Sequence, residues 1–207
     1  LGDGRFITAG TQGNAGDDSI LLAMFNSDGS LDTTWGNNGY VVQDFGGGDD
    51  EYVNDMFRQP DGKIVVVGEY SDGGDTDSFV ARFNSDGSLD TTFSGDGWLV
   101  QDVGATNDDE AYSVAVDMGG YIIVAGDVGN GADWDSYFLR YLPDGTLDAT
   151  FGAAGVAQFD LNAAGNDDVL SGIQIQDNGY IVSTGNTDTG NLEMCMLRLE
   201  GTGHFLG

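Results

Sequence analysis

The chain has 207 residues, and its hydrophobic content of 40% is too high for a disordered acidic tail. Thirty-five acidic residues face six basic ones, giving a net charge of −29, so we expect a surface that repels nucleic acid and anionic membranes. Cys195 is the only cysteine and cannot form an internal disulfide, and no apolar run is long enough for a transmembrane helix.

The sequence repeats itself with a period of 58 residues. The segment FNSDGSLDTTW at 25–35 returns as FNSDGSLDTTF at 83–93 and as YLPDGTLDATF at 141–151, and a degraded fourth copy begins at Leu199. A second block, GRFITAG at 4–10, has counterparts at 62–68, 120–126 and 179–185. Internal repetition of this length predicts a repeat architecture.

Each repeat contains four short segments with the pattern of β-strands. In the best-preserved copy, large and small residues alternate from Glu110 to Asp117, which is the period of a strand. The next segment, Tyr121 to Ala125, is apolar throughout and is therefore predicted to be buried on both faces. The third and fourth strands are predicted at 136–141 and 155–160. Asp-Gly and Asn-Gly pairs between segments predict tight hairpins, and no stretch has a helical period.

Four antiparallel strands per repeat, without helices, predict an all-β fold: a β-propeller with four-stranded blades. Ala111, Ser113 and Ala115 are expected on the innermost strand, where space is tightest. We predict a partial blade at 1–46, blades at 47–104 and 105–161, and a partial blade at 162–207.

With the blade boundaries placed in this way, the first blade lacks its inner strand and the last blade lacks its outer strand. We therefore expect an incomplete arc of a larger propeller, of roughly six to eight blades, in a natural chain that extends beyond both ends. The strands near 5–9 and 194–199 should then have unpaired edges.

The phrase FNSDGSLDTTF, together with DGKIVVVGEY, resembles the delta-60 repeat family of bacterial secreted and surface proteins. The likeness covers essentially the whole chain, and the order of the motifs is also similar to that of NHL-type propeller repeats. The resemblance implies blades in which the segment equivalent to residues 110–117 forms the innermost strand, and it implies no catalytic residues. The fourth copy departs from the pattern at 200–203, where the aspartate is missing.

Nothing in the sequence points to catalysis, and we expect a protein that is not an enzyme. His204 is the only histidine and lies near the end of the chain, and paired carboxylates recur in every repeat instead of marking one site. Arg82, Arg140 and Arg198 also share the 58-residue spacing. We interpret them as partners of local acids such as Asp90 and Asp148; the alternative is a row of basic anchors.

Most of the acidic residues are predicted to gather on one face of the blades. The loops between strands two and three, and between strand four and the next blade, lie on the same side. Aspartate oxygens are ligands that suit Ca²⁺, although the EF-hand spacing is absent. The candidate ligands are Asp49, Asp50, Asp75, Asp77, Asp108, Asp109, Asp133 and Asp135. The alternative is a set of solvated loops without a metal.

Trp134 has no counterpart in the other repeats and is predicted to lie in an exposed loop, where it could contact a partner. The function we expect is that of a non-catalytic extracellular or cell-surface module for adhesion, display or assembly, with a protein or glycan partner. The alternative is a propeller that recognises a glycan or a basic peptide on its acidic face.

Overall fold

The computed structural model describes residues 2–14, 16–104, 107–161, 166–188 and 192–204, and the regular elements in these ranges are all β-strands. No helix of the described residues is long and apolar enough to span a bilayer. The strands are β1 (Phe6–Asn14), β2 (Asp17–Phe25), β3 (Tyr40–Gln43), β4 (Asp50–Arg58), β5 (Ile64–Ser71), β6 (Thr76–Phe83), β7 (Trp98–Gln101), β8 (Asp109–Val116), β9 (Ile122–Gly129), β10 (Trp134–Tyr141), β11 (Val156–Phe159), β12 (Asp168–Ile175), β13 (Ile181–Asp188) and β14 (Leu192–Leu199).

The strands form four antiparallel sheets that follow one another along the chain. The second sheet (β4–β7) and the third (β8–β11) have four strands each, whereas the first (β1–β3) and the fourth (β12–β14) have three. Because β1 corresponds in the repeat to β5 and β9, the first sheet lacks strand one, and the fourth sheet likewise lacks strand four. The prediction of an all-β fold with incomplete terminal blades is confirmed.

The two terminal sheets end in edge strands. Within the described residues, β1 pairs only with β2 and β14 only with β13, so the two ends do not close a ring by pairing with each other. An edge strand presents backbone N–H and C=O groups that another strand could pair with.

Strand β8 contacts the first strands of both neighbouring sheets, β4 and β12. Ala111, Ser113 and Ala115 on β8 are buried there, as predicted. The strict alternation predicted for this strand is wrong, however, because the pairing of β8 with β9 shifts at Tyr112. The same shift occurs at Asn54 on β4 and at Ser171 on β12, so the bulge belongs to the repeat. A bulge adds one residue to a strand and reverses its alternation from that point.

The apolar core lies between the sheets. One buried cluster joins Val67, Val80 and Phe93 of the second sheet to Val114 and Leu139 of the third. The aromatic position that follows the third strand of the first three sheets contributes to this packing: Trp35, Phe93 and Phe151 are all buried.

Each of these rings lies against the turn glycine of the next sheet, which is Gly87, Gly145 or Gly203. Burial of aromatic surface is the largest contribution that a single side chain makes to such a core.

Replacing Gly145 with alanine should destabilise the junction between the second and third sheets. The residue has φ +90°, and a Cβ there would lie 3.0 Å from the Phe93 ring and 2.8 Å from the Ser94 nitrogen. We expect a loss of about 1–3 kcal/mol from the clash, in addition to the roughly 1–2 kcal/mol of the left-handed backbone. Gly131→Ala is the control that measures the backbone effect alone, because Gly131 has φ +85° and an added Cβ would have no atom within 4 Å. Urea unfolding should give a larger loss for Gly145→Ala, and equal losses would exclude the proposed packing.

The basic side chains lie at the hairpin ends of the sheets, opposite the acidic loops. Arg82 Nε and Lys63 Nζ lie 2.6 and 2.7 Å from Asp90 Oδ2, and Arg140 Nη2 lies 2.7 Å from Asp148 Oδ2. The interpretation of Arg82 and Arg140 as partners of local acids is confirmed. Arg82 also donates to the carbonyl of Pro143 at 2.6 Å and so connects the second sheet to the third.

Candidate functional site

The acidic loops predicted from the sequence lie at one end of the sheets. Because consecutive strands are antiparallel, the loop after β5 and the loop after β7 emerge on the same side, beside the start of β8. This arrangement repeats at each junction between sheets. The surface formed by these loops is called the acidic face below.

One aspartate at each junction accepts a backbone hydrogen bond from the preceding sheet. Asp50 Oδ1 accepts from the amide of Asp18 at 2.9 Å, and Asp108 Oδ1 accepts from that of Thr76 at 2.7 Å. Asp167 Oδ1 accepts from Trp134 at 3.2 Å in the same way. These aspartates therefore connect the start of a third strand to the next sheet.

The next position along the chain holds a fully buried carboxyl group in Glu51, Asp109 and Asp168. Asp109 Oδ1 accepts from the amide and hydroxyl of Ser78 at 2.9 and 2.7 Å, and Oδ2 accepts from the amide of Val103 at 2.8 Å. Burial raises the pKa of Asp109, whereas these hydrogen bonds oppose the rise. Asp109 thus contacts both strand three and the end of strand four in the second sheet.

Two further carboxylates approach Asp109 at this junction. One ligand oxygen each of Asp77, Asp102 and Asp109 lies within 4.8 Å of the others. Asp77 belongs to β6, and Asp102 directly follows β7. Burial, followed by repulsion from Asp109 and Asp102, raises the pKa of Asp77 to about 6. The three residues are called the carboxylate trio below.

Comparison with protein-family models gives the same architecture as the strand pairing. Residues 1–34, 59–93 and 120–151 match a family described as a domain of unknown function (DUF5122) beta-propeller. The chain is a β-propeller repeat protein. No curated protein compared with it gives a match.

The structure divides the predicted calcium ligands of the propeller into separate groups. Asp77 and Asp109 belong to the trio, whereas Asp50 and Asp108 accept the backbone hydrogen bonds described above. Asp135 occupies on β10 the position that Asp77 has on β6, and its Oδ2 accepts from Gln158 at 3.1 Å. The predicted ligands are thus distributed over several junctions and do not form one site.

The remaining three candidates lie outside the trio. Asp49 Oδ2 accepts from the Tyr70 hydroxyl at 2.6 Å, and this bond is the main reason that the pKa of Tyr70 rises to about 12. Asp75 is half-buried in the loop before β6. Asp133 is hydrogen-bonded to Asn130 in the turn before β10.

Trp134 does not lie in a loop, as the sequence suggested, but is the first residue of β10. Its side chain is half-buried and lines an open pocket of about 390 Å³. The pocket also contains three carboxylates, those of Asp108, Asp133 and Asp167. An aromatic ring beside carboxylates suits a positively charged group.

Sequence reasoning missed Asp102 as a member of the trio. The signal was present, because Asp44, Asp102 and Asp160 follow the fourth strands of successive blades at 58-residue steps. Isolated aspartates after a strand resemble ordinary turn residues. Only the structure shows that Asp102 faces two other carboxylates.

Proposed function

We propose that this chain is a non-catalytic binding module of an extracellular or cell-surface protein, and that it serves adhesion, display or assembly through its acidic face. The proposal that the natural protein belongs among the delta-60 repeats rests on the repeated FNSDGSLDTTF motif. The proposal that it is not an enzyme rests on the single histidine and on carboxylates that repeat in every blade.

The separation of charge between the two ends of the propeller carries this proposal. Ion pairs at the hairpin ends involve Arg5, Lys63, Arg82 and Arg140, and their partners are Asp3, Asp32, Asp90 and Asp148. None of these pairs involves a carboxylate of the acidic face. A surface with one sign of charge attracts oppositely charged partners and accelerates their association.

The partner class that fits the acidic face is a basic peptide segment. At the pocket of Trp134, a lysine or arginine side chain can contact the ring while its charge faces Asp108, Asp133 and Asp167. A glycan-binding propeller would need exposed aromatic residues at matching positions of several blades. Trp35, Phe93 and Phe151 share a repeat position but are buried in the core, which favours the peptide.

Binding of a fluorescein-labelled peptide of alternating lysine and glycine tests this proposal by fluorescence anisotropy. We expect binding that weakens as salt is added, since surface charges are screened. Trp134→Ala should weaken binding by about 0.5–2 kcal/mol, the range of cation–π contacts, and Asp133→Asn should weaken it as well. Asp96→Asn, an exposed carboxylate at the hairpin end, is the matched control and should bind normally.

Equal binding of a peptide of alternating glutamate and glycine would contradict the proposal, and so would unchanged affinity in both pocket variants. Binding of a neutral oligosaccharide that Trp134→Ala abolishes would instead assign the pocket to a glycan.

A further inference from the structure

The first sheet has an apolar face that no other sheet covers within the described part of the chain. Side chains alternate along β2, so Ile20 and Leu22 pack in the cluster shared with the second sheet, whereas Leu21 points the other way. On that outer side, Tyr40 and Val42 are each 40% exposed. An open groove of about 570 Å³ lies there. Its lining residues are called the leading face below: Gln12, Leu21, Ala23, Leu31, Tyr40 and Val42.

The 58-residue repeat shows what covers a face of this kind at the internal junctions. Phe79 in the second sheet and Tyr137 in the third occupy the position of Leu21, and both are fully buried in clusters shared with the preceding sheet. Trp98, at the position of Tyr40, packs in the same cluster as Phe79. The partner of a leading face is therefore the opposite face of another sheet of this repeat.

The fourth sheet presents such an opposite face. On β14, Leu197 and Leu199 are buried against the third sheet, so the residues that alternate with them point away from it. Two of these, Met194 and Met196, are 86% and 71% exposed. Thr184 of β13 pairs with Met196, and Val182 with Arg198, so their side chains lie on the same side. These residues are called the trailing face below: Val182, Thr184, Met194 and Met196.

The position of Met196 is one that packs against a leading face in the earlier sheets. Leu22, Val80 and Phe138 occupy it there, and all three are fully buried in the clusters between successive sheets. The chain thus carries both halves of a blade junction, both apolar and both exposed, on different sheets. Exposed apolar patches of this kind mark interaction surfaces.

We propose that the leading face of one copy of the chain docks on the trailing face of a second copy, as neighbouring sheets pack within one chain. The contact is head-to-tail, because the two faces are different surfaces. Two copies together supply eight sheets, a number within the range of roughly four to eight blades in known propellers.

A repeated arginine adds a polar contact to this interface. Arg82 Nη1 donates to the carbonyl of Pro143 in the next sheet at 2.6 Å, and Arg140 donates in the same way to the equivalent carbonyl of the fourth sheet. Arg198 occupies this position on the fourth sheet and is exposed. Its acceptor in the second copy is the carbonyl of Ser27, which stands at the position of Pro143 in the first repeat.

The interface is separate from the pocket of Trp134, with which the leading and trailing faces share no residue. The two proposals also respond to salt in opposite directions. Each copy has a net charge of −29, so repulsion between copies opposes docking at low ionic strength. Added NaCl screens this repulsion and should strengthen self-association, whereas it should weaken binding of the basic peptide.

Sedimentation velocity of the 207-residue chain, over a range of protein concentrations in low and high NaCl, measures the association. We expect the mean mass to exceed that of one chain at high concentration, more so in high NaCl. Val42→Asp and Met196→Asp each place an unpaired charge in the interface and should raise the Kd for self-association at least about tenfold. Met118→Asp adds the same charge at a fully exposed hairpin residue outside both faces and should leave the Kd unchanged.

An equimolar mixture of Val42→Asp and Met196→Asp tests the direction of the contact. Each variant keeps one intact face, so the mixture should form pairs although neither variant does so alone. Such pairing also shows that both variants are folded. A parent chain that stays monomeric at every concentration in high NaCl would overturn the proposal, and so would a mixture that stays monomeric. Loss of association in only one of the two variants would mean that a face pairs with its own counterpart, which also contradicts head-to-tail docking.

Discussion

Replacing Asp90 with asparagine is expected to lower the free energy of unfolding by about 3–5 kcal/mol, the cost of breaking a buried ion pair. Asp90 and Arg82 are 3% and 4% exposed, and Asp90 Oδ2 accepts from both Arg82 and Lys63. Its Oδ1 accepts from the amide and hydroxyl of Thr92 at 3.1 and 2.6 Å. The neutral amide would leave the Arg82 guanidinium buried without its counter-charge.

The first repeat suggests a control for this prediction. Met24 stands there at the position of Arg82, and Asp32 is paired with Arg5, which occupies the position of Lys63. Arg82→Met should therefore reproduce a natural arrangement in which Lys63 still neutralises Asp90. We expect a smaller loss of about 1–2 kcal/mol, from the hydrogen bond to Pro143 and the contact with the Phe93 ring. Urea unfolding of both variants measures the difference. An equal or larger loss for Arg82→Met would show that the guanidinium packing, and not the pairing of Asp90, stabilises this junction.

The sequence predicts the blade well because each part of the blade has a local pattern. The apolar run of the second strand and the Asp-Gly turns are patterns of a few residues, and the 58-residue period repeats them in successive copies. The sequence also predicts that the chain starts with the second strand of a blade, since residues 4–10 match the second strands of later repeats. The bulge at Tyr112 could not be predicted, because it depends on how β8 pairs with β9.

The acidic face was predictable as a surface but not as a set of sites. Antiparallel topology places the acidic loops on one side, which needs only the order of strands. The separate roles of Asp108 and Asp109 depend on contacts with Thr76 and Ser78, about thirty residues earlier in the chain. Two neighbouring aspartates look alike in sequence, yet one is exposed and the other fully buried. Burial of this kind arises from packing between blades, for which the sequence carries no local signal.

The pKa of Asp127 on β9 lies far above the ordinary value of an aspartate and falls close to neutral pH. Its side chain is 2% exposed, and Oδ1 accepts from the amide of Leu170 on β12 at 3.2 Å. The charged groups that face it are Glu110 on β8 and Asp167 and Asp168 at the start of β12. Burial, above all, raises the pKa of Asp127 to about 8, and these acids add to the rise. Near pH 7 the folded chain therefore holds a proton that the unfolded chain has released.

The stability of the propeller should consequently fall as the pH rises from about 5 to 8. The folded state binds more protons than the unfolded state in this window, so the free energy of unfolding decreases by about 1.4 kcal/mol per pH unit for one such group. Asp127→Asn keeps a neutral side chain at every pH and should flatten the slope by this amount, which makes the variant more stable than the parent at pH 7.5. Urea unfolding at pH 5.5, 6.5 and 7.5 measures the slopes, with Asp86→Asn as the control, because hydrogen bonds from Ser88 lower the pKa of this hairpin carboxylate. Parallel curves for Asp127→Asn and the parent would mean that Asp127 is ionised in the folded chain, and that the amide of Leu170 outweighs the effect of burial.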